Sequence, residues 1–237
     1  MRPYTNFVLS LNVLLLGRQL AFAPVTQTNI INSAVVKKLN KNPAKVVTVP
    51  ADWSPQTRLD CYAQMCDAIA LGHTRSVGVC NFSLRQLQEL VNYCIENQLP
   101  LPSVLQNEFH PFLHKQSVPL MEYCRANNIA FQAHSSLGGP PPKNKKSTNH
   151  SLLINDVVLQ VAQQNNVTPG TLLFRWARFK GVTSVIAKSS KKSRIEENRT
   201  ICDAKFKDDG GALDALDLGH TGSTCFTWTR EADPDAY

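Results

Sequence analysis

Downstream of residue 58, apolar side chains recur at three- and four-residue intervals, and short β-branched runs separate these helical stretches. In residues 59–71 the apolar stripe is Cys61, Met65, Ala68 and Ile69. Ser76-Val-Gly-Val79 reads as a buried strand. Ser83 then offers an N-cap to a helix over 84–97, with Leu87, Leu90, Val91, Cys94 and Ile95 inward. A strand over 103–106 follows a Leu-Pro-Leu-Pro entry, then a helix over 117–127 on Leu120, Met121 and Cys124, then a strand over 129–133. Gly138, Gly139 and three consecutive prolines open a basic, Asn/Ser/Thr-rich stretch expected to be a surface excursion. Two helices follow, over 157–164 and 168–179, the second started by Thr168 with Pro169 at its first position. Residues 182–186 give a fourth strand, and Ser193 is predicted to cap a short helix through Asn198.

Strands separated by helices need crossover connections, so these four should run parallel with helices on their faces. The pattern predicts an α/β chain. It is either half of an eight-stranded β/α barrel or a small doubly wound sheet.

Composition changes this picture mainly at the N-terminus. The formal net charge is +7, which suggests a nucleic-acid partner until it is located: residues 1–51 hold Arg2, Arg18, Lys37, Lys38, Lys41 and Lys45 and no acid. The remaining 19 basic residues face 18 acids, so the rest of the chain is near neutral and no nucleic-acid binding is expected. The acid-free leader begins with the apolar run Phe7-Val-Leu-Ser-Leu-Asn-Val-Leu-Leu-Leu16, too short for a stable membrane span and suited to a signal segment over 1–21. Ala21-Phe22-Ala23-Pro24 and a Thr/Asn/Ser/Lys-rich stretch over 22–50 follow. Together they resemble the bipartite presequences of algae with complex plastids, so plastid delivery through a secretory signal is expected, with secretion as the alternative. Residues 51–237 form the folded domain in this division. The cysteines, seven in all, form no CxxC pair or zinc-like spacing, which favours buried thiols in a reducing compartment.

Candidate chemistry lies at the strand ends, where β/α barrels collect ligands. Cys80-Asn81 closes the first strand, Gln106 the second, His134-Ser135 the third and Lys188-Ser189 the fourth. Each also has an ordinary structural reading. Asn81 can be a turn residue, Gln106 a capped strand end, and Lys188 with Arg194 a solvated pair near a helix start.

The surrounding motifs resemble those of the aldo-keto reductases over roughly residues 57–200. Gly78-Val-Cys-Asn-Phe82 is similar to that family's Gly-Val-Ser-Asn-Phe, which implies that Cys80 and Asn81 hold a nicotinamide carboxamide. Cys80 is a weaker hydrogen-bonder than the usual Ser. Leu105-Gln-Asn-Glu-Phe-His-Pro111 resembles Asn-Gln-Val-Glu-x-His-Pro, implying Gln106 as a third carboxamide ligand and His110 as a structural histidine. Ala133-His-Ser-Ser-Leu-Gly138 resembles Ala-Tyr-Ser-Pro-Leu-Gly, which implies cofactor contacts from His134, Ser135 and Leu137, with His134 a smaller stacking ring than Tyr. Ile186-Ala-Lys-Ser resembles Ile-Pro-Lys-Ser, and Arg194-Ile-Glu-Glu-Asn198 follows at the family's spacing. Lys188, Ser189 and Arg194 would then surround an adenosine 2′-phosphate and Asn198 would reach the adenine, so the implied cofactor is NADP(H).

The same resemblance implies a Tyr general acid with a Lys, an Asp and a His on earlier strands, and the settings of these residues are not found in residues 1–60. Lys45-Val-Val-Thr-Val-Pro50 reads as a strand remnant, and Asp52-Trp-Ser-Pro55 only faintly echoes a His-Trp-Pro. No catalytic role passes to Asp52, to Tyr4 in the leader or to Tyr62 on a helix. The expectation is an incomplete TIM-type β/α barrel of about four C-terminal βα units. It keeps the NADP(H)-binding half of an oxidoreductase whose complete relatives reduce aldehydes or ketones. The alternatives are a non-catalytic NADPH-binding or regulatory subunit and a non-functional truncated product. A small-molecule carbonyl is the expected substrate if the barrel is completed. Open edges on the first and fourth strands lead to expected self-association. The tail from Ala212 through Trp228 resembles the family's substrate-loop end.

Overall fold

A computed structural model describes residues 55–138, 151–202, 206–207 and 211–218. The signal-like and transit-like segments, the strand remnant at 45–50, Asp52, the proline-rich excursion from Gly139 and the tail beyond 218 lie outside these residues. The chain divides into two units at the Val77–Gly78 bond.

The described part of the first unit is helix α1, Pro55–Ala70, and the turn after it. Proline at the first helical position fits the helical φ and gives up an N–H that has no intrahelical partner there, so the helix starts four residues before the predicted 59. It stops at Gly72, whose φ of 71° is a left-handed value that glycine adopts without cost, and whose N–H reaches Ile69 O at 2.9 Å. The buried face centres on Tyr62 and Cys66, one position round from the predicted stripe. Tyr62, outside the predicted stripe, is 2% exposed.

The second unit is a four-stranded parallel sheet in the order β1-β2-β3-β4: Gly78–Cys80, Val104–Glu108, Ala130–His134 and Ser184–Val185. Between them run α2 (Leu84–Glu96), α3 (His114–Ala126), α4 (Asp156–Gln164) and α5 (Pro169–Phe179), and α6 (Lys192–Arg199) follows β4. This is the α/β architecture of successive βα units. Among the described residues β1 and β4 are the outer strands, so the sheet is open and not a closed barrel.

Local chemistry accounts for most of the element starts. Ser83 and Gln86 form a capping box at α2, Gln86 N donating to Ser83 Oγ at 3.2 Å and Ser83 N to Gln86 Oε1 at 3.0 Å, a pair that stabilises the helix by about 1 kcal/mol. Thr168 caps α5 with Pro169 at its first position, as the sequence predicted. Gly78 is required by strand spacing, since a Cβ there would stand 2.6 Å from Val104 O.

Several further predicted boundaries and one predicted orientation change. β1 begins at Gly78 and not at Ser76, and β4 shrinks from the predicted 182–186 to two residues. α3 starts at His114, three residues early, with Pro119 inside it and Ser117 Oγ donating to Leu113 O at 2.9 Å. Ser193 does not cap α6. Lys191 is the N-cap, because Ser189 Oγ accepts Lys191 N at 3.1 Å and turns the chain before Ser193 is reached. Ile95, predicted inward, is 64% exposed, since the buried stripe of α2 centres on Leu87, Leu90 and Cys94 and leaves it past the edge.

The core lies between the helices and the sheet face that carries Val79, Leu105 and Phe131, which share one register row. Phe109 stacks on Trp176 at 5.2 Å and meets Phe131 edge-on at 5.9 Å. The segment 211–218 closes on this core. Trp176 Nε1 donates to Asp214 Oδ1 at 2.9 Å, Lys180 Nζ pairs with Asp214 Oδ2, and Lys115 N donates to Asp217 Oδ2 at 2.7 Å. Burial alone would raise the Asp214 carboxyl, but donation from Lys180 and Trp176 and the nearby charges outweigh it and hold the group below the usual range. Cys61, Cys66, Cys80, Cys94 and Cys124 are thiols and form no disulfides. No helix among the described residues is long and apolar enough to cross a membrane.

Candidate functional site

The ends of β1, β2 and β3 carry a hydrogen-bonded cluster built from Cys80, Asn81, Gln106, His134 and Ser135. Cys80 is the last residue of β1 and lies level with Gln106, to whose Oε1 its Sγ donates at 3.9 Å. Burial pushes the Cys80 thiol up to about 12, so it stays protonated and acts as a donor. Gln106 is 4% exposed, and β2 continues past it to Glu108, so it is an inward-facing strand residue and not the predicted strand end.

Asn81 leaves β1 in a left-handed turn, φ 60°, and Ser135 leaves β3 the same way, φ 52°. These are conformations that non-glycine residues keep only when neighbours hold them. Asn81 N donates to Gln106 O at 2.9 Å, and Asn81 Oδ1 accepts from His134 Nε2 at 2.8 Å. A carbonyl oxygen only accepts, so His134 carries its proton on Nε2 and its Nδ1 accepts from Ser135 Oγ at 3.1 Å. Both ring nitrogens are thus engaged in the ring plane. Burial keeps the His134 pKa below its ordinary value. The Glu108 carboxylate, level with it in the sheet, partly offsets this, and His110 adds to it.

Next to this cluster Glu108 and His110 form a buried pair, His110 Nε2 to Glu108 Oε1 at 2.9 Å, with the His110 side chain fully enclosed. Asn107 clasps the residue after Asn81, accepting Phe82 N at 3.2 Å and donating to Phe82 O at 2.9 Å. Leu137 lies apart from the hydrogen bonds, against Gly170 in the first turn of α5.

A second group lies beyond β4. Lys188 and Arg194 are exposed, and Ser189 and Asn198 are half-buried. Lys191 and Lys192 join them at the start of α6, whose first turn holds no acid and whose N-cap makes no side-chain hydrogen bond. Two acids follow on α6: Glu196 Oε1 stands 3.8 Å from Lys192 Nζ on the exposed surface, and Glu197 is engaged elsewhere, since Thr168 Oγ1 and Thr171 Oγ1 each donate to its Oε1 at 2.6 Å and those bonds hold its carboxyl below the usual range.

Sequence reasoning passed over Gln132, Ser184 and Asn107. Gln106 Nε2 donates to Gln132 Oε1 at 2.5 Å, and Gln132 Nε2 donates to Ser184 Oγ at 2.9 Å. The available signal was a polar side chain interrupting an otherwise apolar strand, at Gln132 in Ala130-Phe-Gln-Ala133. Among the described residues no group of three His, Cys, Asp or Glu side chains is arranged to hold a metal ion.

The profile of the Aldo/keto reductase family matches residues 25–215. NADPH-dependent codeinone reductase 1-1 of Papaver somniferum is 34% identical over 187 residues, covering 78% of this chain and 55% of that protein. Prostaglandin F synthase 1 of Bos taurus is 33% identical over 147 residues, 61% of this chain and 44% of its own length. D-galacturonate reductase of Hypocrea jecorina is 32% identical over 150 residues, 63% of this chain and 44% of its own length. The chain spans about half the length of the curated relatives it matches. Parallel βα units, polar groups gathered at their strand ends and a profile match over most of the sequence agree in one conclusion: the chain belongs to the Aldo/keto reductase family.

Proposed function

We propose that this chain binds NADP(H) at the C-terminal ends of its four strands and keeps the cofactor-holding half of a carbonyl reductase without its proton-transfer residues. The observation that carries this reading is the cluster of Cys80, Asn81, Gln106 and His134, drawn from three strands and fastened at one end of the sheet.

The donor set fits the cofactor. Asn81 has its oxygen held by His134, and its amide N–H groups have no hydrogen-bond partner among the described residues. Gln106 retains one N–H and one lone pair beyond its bonds to Cys80 and Gln132. Cys80, Asn81 and Gln106 would hold a carboxamide, and His134, fixed in its plane from both nitrogens, would offer a ring face for stacking. Ser136 Oγ, buried one residue beyond Ser135, makes no hydrogen bond among the described residues and is an orphan that a ligand at this exit could satisfy. Lys188, Ser189 and Arg194, with the uncapped start of α6, suit a 2′-phosphate, and Asn198 would meet the adenine. When bound, NADPH supplies the hydride. The names of the relatives from Papaver somniferum support NADPH as the form used.

The chain's own residues bind and orient in this proposal, and none is assigned to proton transfer. Tyr62 is buried on α1. Titration of the purified chain with NADPH and with NADH, followed by cofactor fluorescence, tests the first half. Binding of NADPH in clear preference to NADH is expected, and absence of NADPH binding overturns the proposal. An assay of NADPH consumption over a panel of aldehydes and ketones tests the second half. No turnover is expected, and sustained reduction by the purified chain overturns it. The acid-free leader is proposed to direct the chain to a plastid, which a fusion of residues 1–50 to a fluorescent protein would report.

A further inference from the structure

We propose that Gln132 and Ser184 are positioning residues for the nicotinamide end of the site, acting through Gln106; this rests on the reading of Gln106 as a cofactor ligand. The basis is strand register. Cys80 pairs with Gln106, Gln106 with Gln132, and Gln132 with Ser184, so four polar side chains occupy one row across all four strands. Strands lie about 4.8 Å apart, and residues at the same level point to the same face, so each side chain reaches the next. The row is closed by three hydrogen bonds in one sense: Cys80 Sγ to Gln106 Oε1, Gln106 Nε2 to Gln132 Oε1, and Gln132 Nε2 to Ser184 Oγ.

That common sense decides which atoms Gln106 presents. A primary amide has two faces of opposite chemistry, and a 180° flip about its last bond exchanges donor for acceptor. Cys80 enters the row as a donor, so Gln106 must turn its oxygen toward β1 and its nitrogen toward β3. The oxygen of Gln132 rewards that orientation and opposes the flipped one, which would bring two oxygens together. Ser184 Oγ accepts the Gln132 nitrogen, and the Gln106 nitrogen on the other side holds the Gln132 oxygen toward β2. Removing Gln132 leaves the buried Gln106 nitrogen without its acceptor and leaves the orientation of the amide to the long Cys80 contact alone.

The test uses the full chain, with two ligands that share the adenosine 2′-phosphate but differ in the nicotinamide: NADPH and adenosine 2′,5′-bisphosphate. Affinities are measured by calorimetric titration for the native chain, Gln132→Leu, Gln106→Leu, the double variant and Gln132→Glu. Gln132→Leu should weaken NADPH by about tenfold and the bisphosphate by less than about twofold, since only the first ligand meets Gln106. The double variant should bind NADPH no more weakly than Gln106→Leu, because a residue acting through another adds nothing once that other is gone. Gln132→Glu, which restores an acceptor to Gln106 Nε2, should recover a large part of the loss. Equal weakening of both ligands, additive losses in the double variant or unchanged NADPH affinity in Gln132→Leu would each overturn the proposal. If Gln132→Leu loses its cooperative melt, Ser184→Ala carries the test: NADPH-selective weakening of about threefold supports the proposal, and none overturns it. A native chain that binds neither ligand overturns the proposed function together with this inference. A native chain that binds both, with Gln132→Leu indistinguishable from it, overturns the inference alone.

Discussion

His134 Nε2 donates to Asn81 Oδ1 across 2.8 Å and so fastens the exit of β3 to the exit of β1, two strands kept apart in the sheet by β2. The bond holds Asn81 in its left-handed turn and sets the plane of the histidine ring. His134→Ala removes both the tie and the ring, and NADPH binding should weaken by about tenfold; His134→Phe keeps a ring and should fall between that variant and the native chain. Fluorescence titration of the three proteins checks the order, and equal affinities would show that the ring and its bond are both idle.

Histidine burial also sets a pH dependence. Burial holds His134 and His114 below their ordinary value of 6.5, so at mildly acidic pH the unfolded chain takes up protons that the folded chain refuses. Stability is then fully present above about pH 6.5 and falls as pH drops toward the folded values. The melting temperature should decline between about pH 7 and about pH 5, and His134→Gln should flatten that slope. A slope unchanged in the variant would remove His134 as a source of it.

Cofactor choice should depend on the cations beyond β4. Lys188→Met and Arg194→Met should each weaken NADPH by about 10- to 100-fold, the range expected from loss of a charge-assisted hydrogen bond, and leave NADH nearly unchanged. Parallel titrations with the two cofactors give the ratio directly. Losses of similar size for both cofactors would place the 2′-phosphate elsewhere.

Asp214 is the acceptor for the indole N–H of Trp176, a side chain that is 1% exposed. Asp214→Ala leaves that N–H unsatisfied and should cost about 1–3 kcal/mol. A fall of several degrees in the melting temperature and a changed near-ultraviolet tryptophan signal would register it. The Asp214 carboxyl is held below its ordinary value of 3.8, so its stabilising contribution is present above that pH and is lost as pH falls through the lower folded value.

The outer strands give a prediction about assembly. β1 and β4 each pair on one side only among the described residues, and open edges invite pairing with another chain. Sedimentation of the native chain should show concentration-dependent self-association, and Val185→Lys should reduce it by placing a charge on β4. A strictly monomeric native chain that melts in one cooperative step would contradict this expectation.

Much of this architecture was legible in the residues alone. The alternation of β-branched runs with helical stretches located the four strands and all six helices, and Ser83, Thr168 and Pro169 marked two helix starts that the structure repeats. Failures arose where local signals competed. Ser193 has the chemistry of a cap, yet Ser189 turns the chain first and leaves the capping position to Lys191. Tyr62 joins the buried face of α1, although the predicted stripe does not include it. In the site, residues next to recognisable motifs stood out, whereas Gln132 and Ser184 did not. Their role depends on which residues lie opposite each other in neighbouring strands, and periodicity within one strand carries no information about its partner's offset.

The polar row from Cys80 to Ser184 also bears on how the sheet is assembled correctly. Side chains alternate between faces, so a slip of β3 by one residue would turn Gln132 toward the apolar core and bring Phe131 or Ala133 to the face of Gln106. A buried amide stripped of its partner costs about 1–3 kcal/mol, and the misaligned sheet would carry that cost on β2 and β3 together. The interactions that orient the site therefore also proofread strand alignment, and a chain that has folded with the wrong offset has already lost the grip it would need for its ligand.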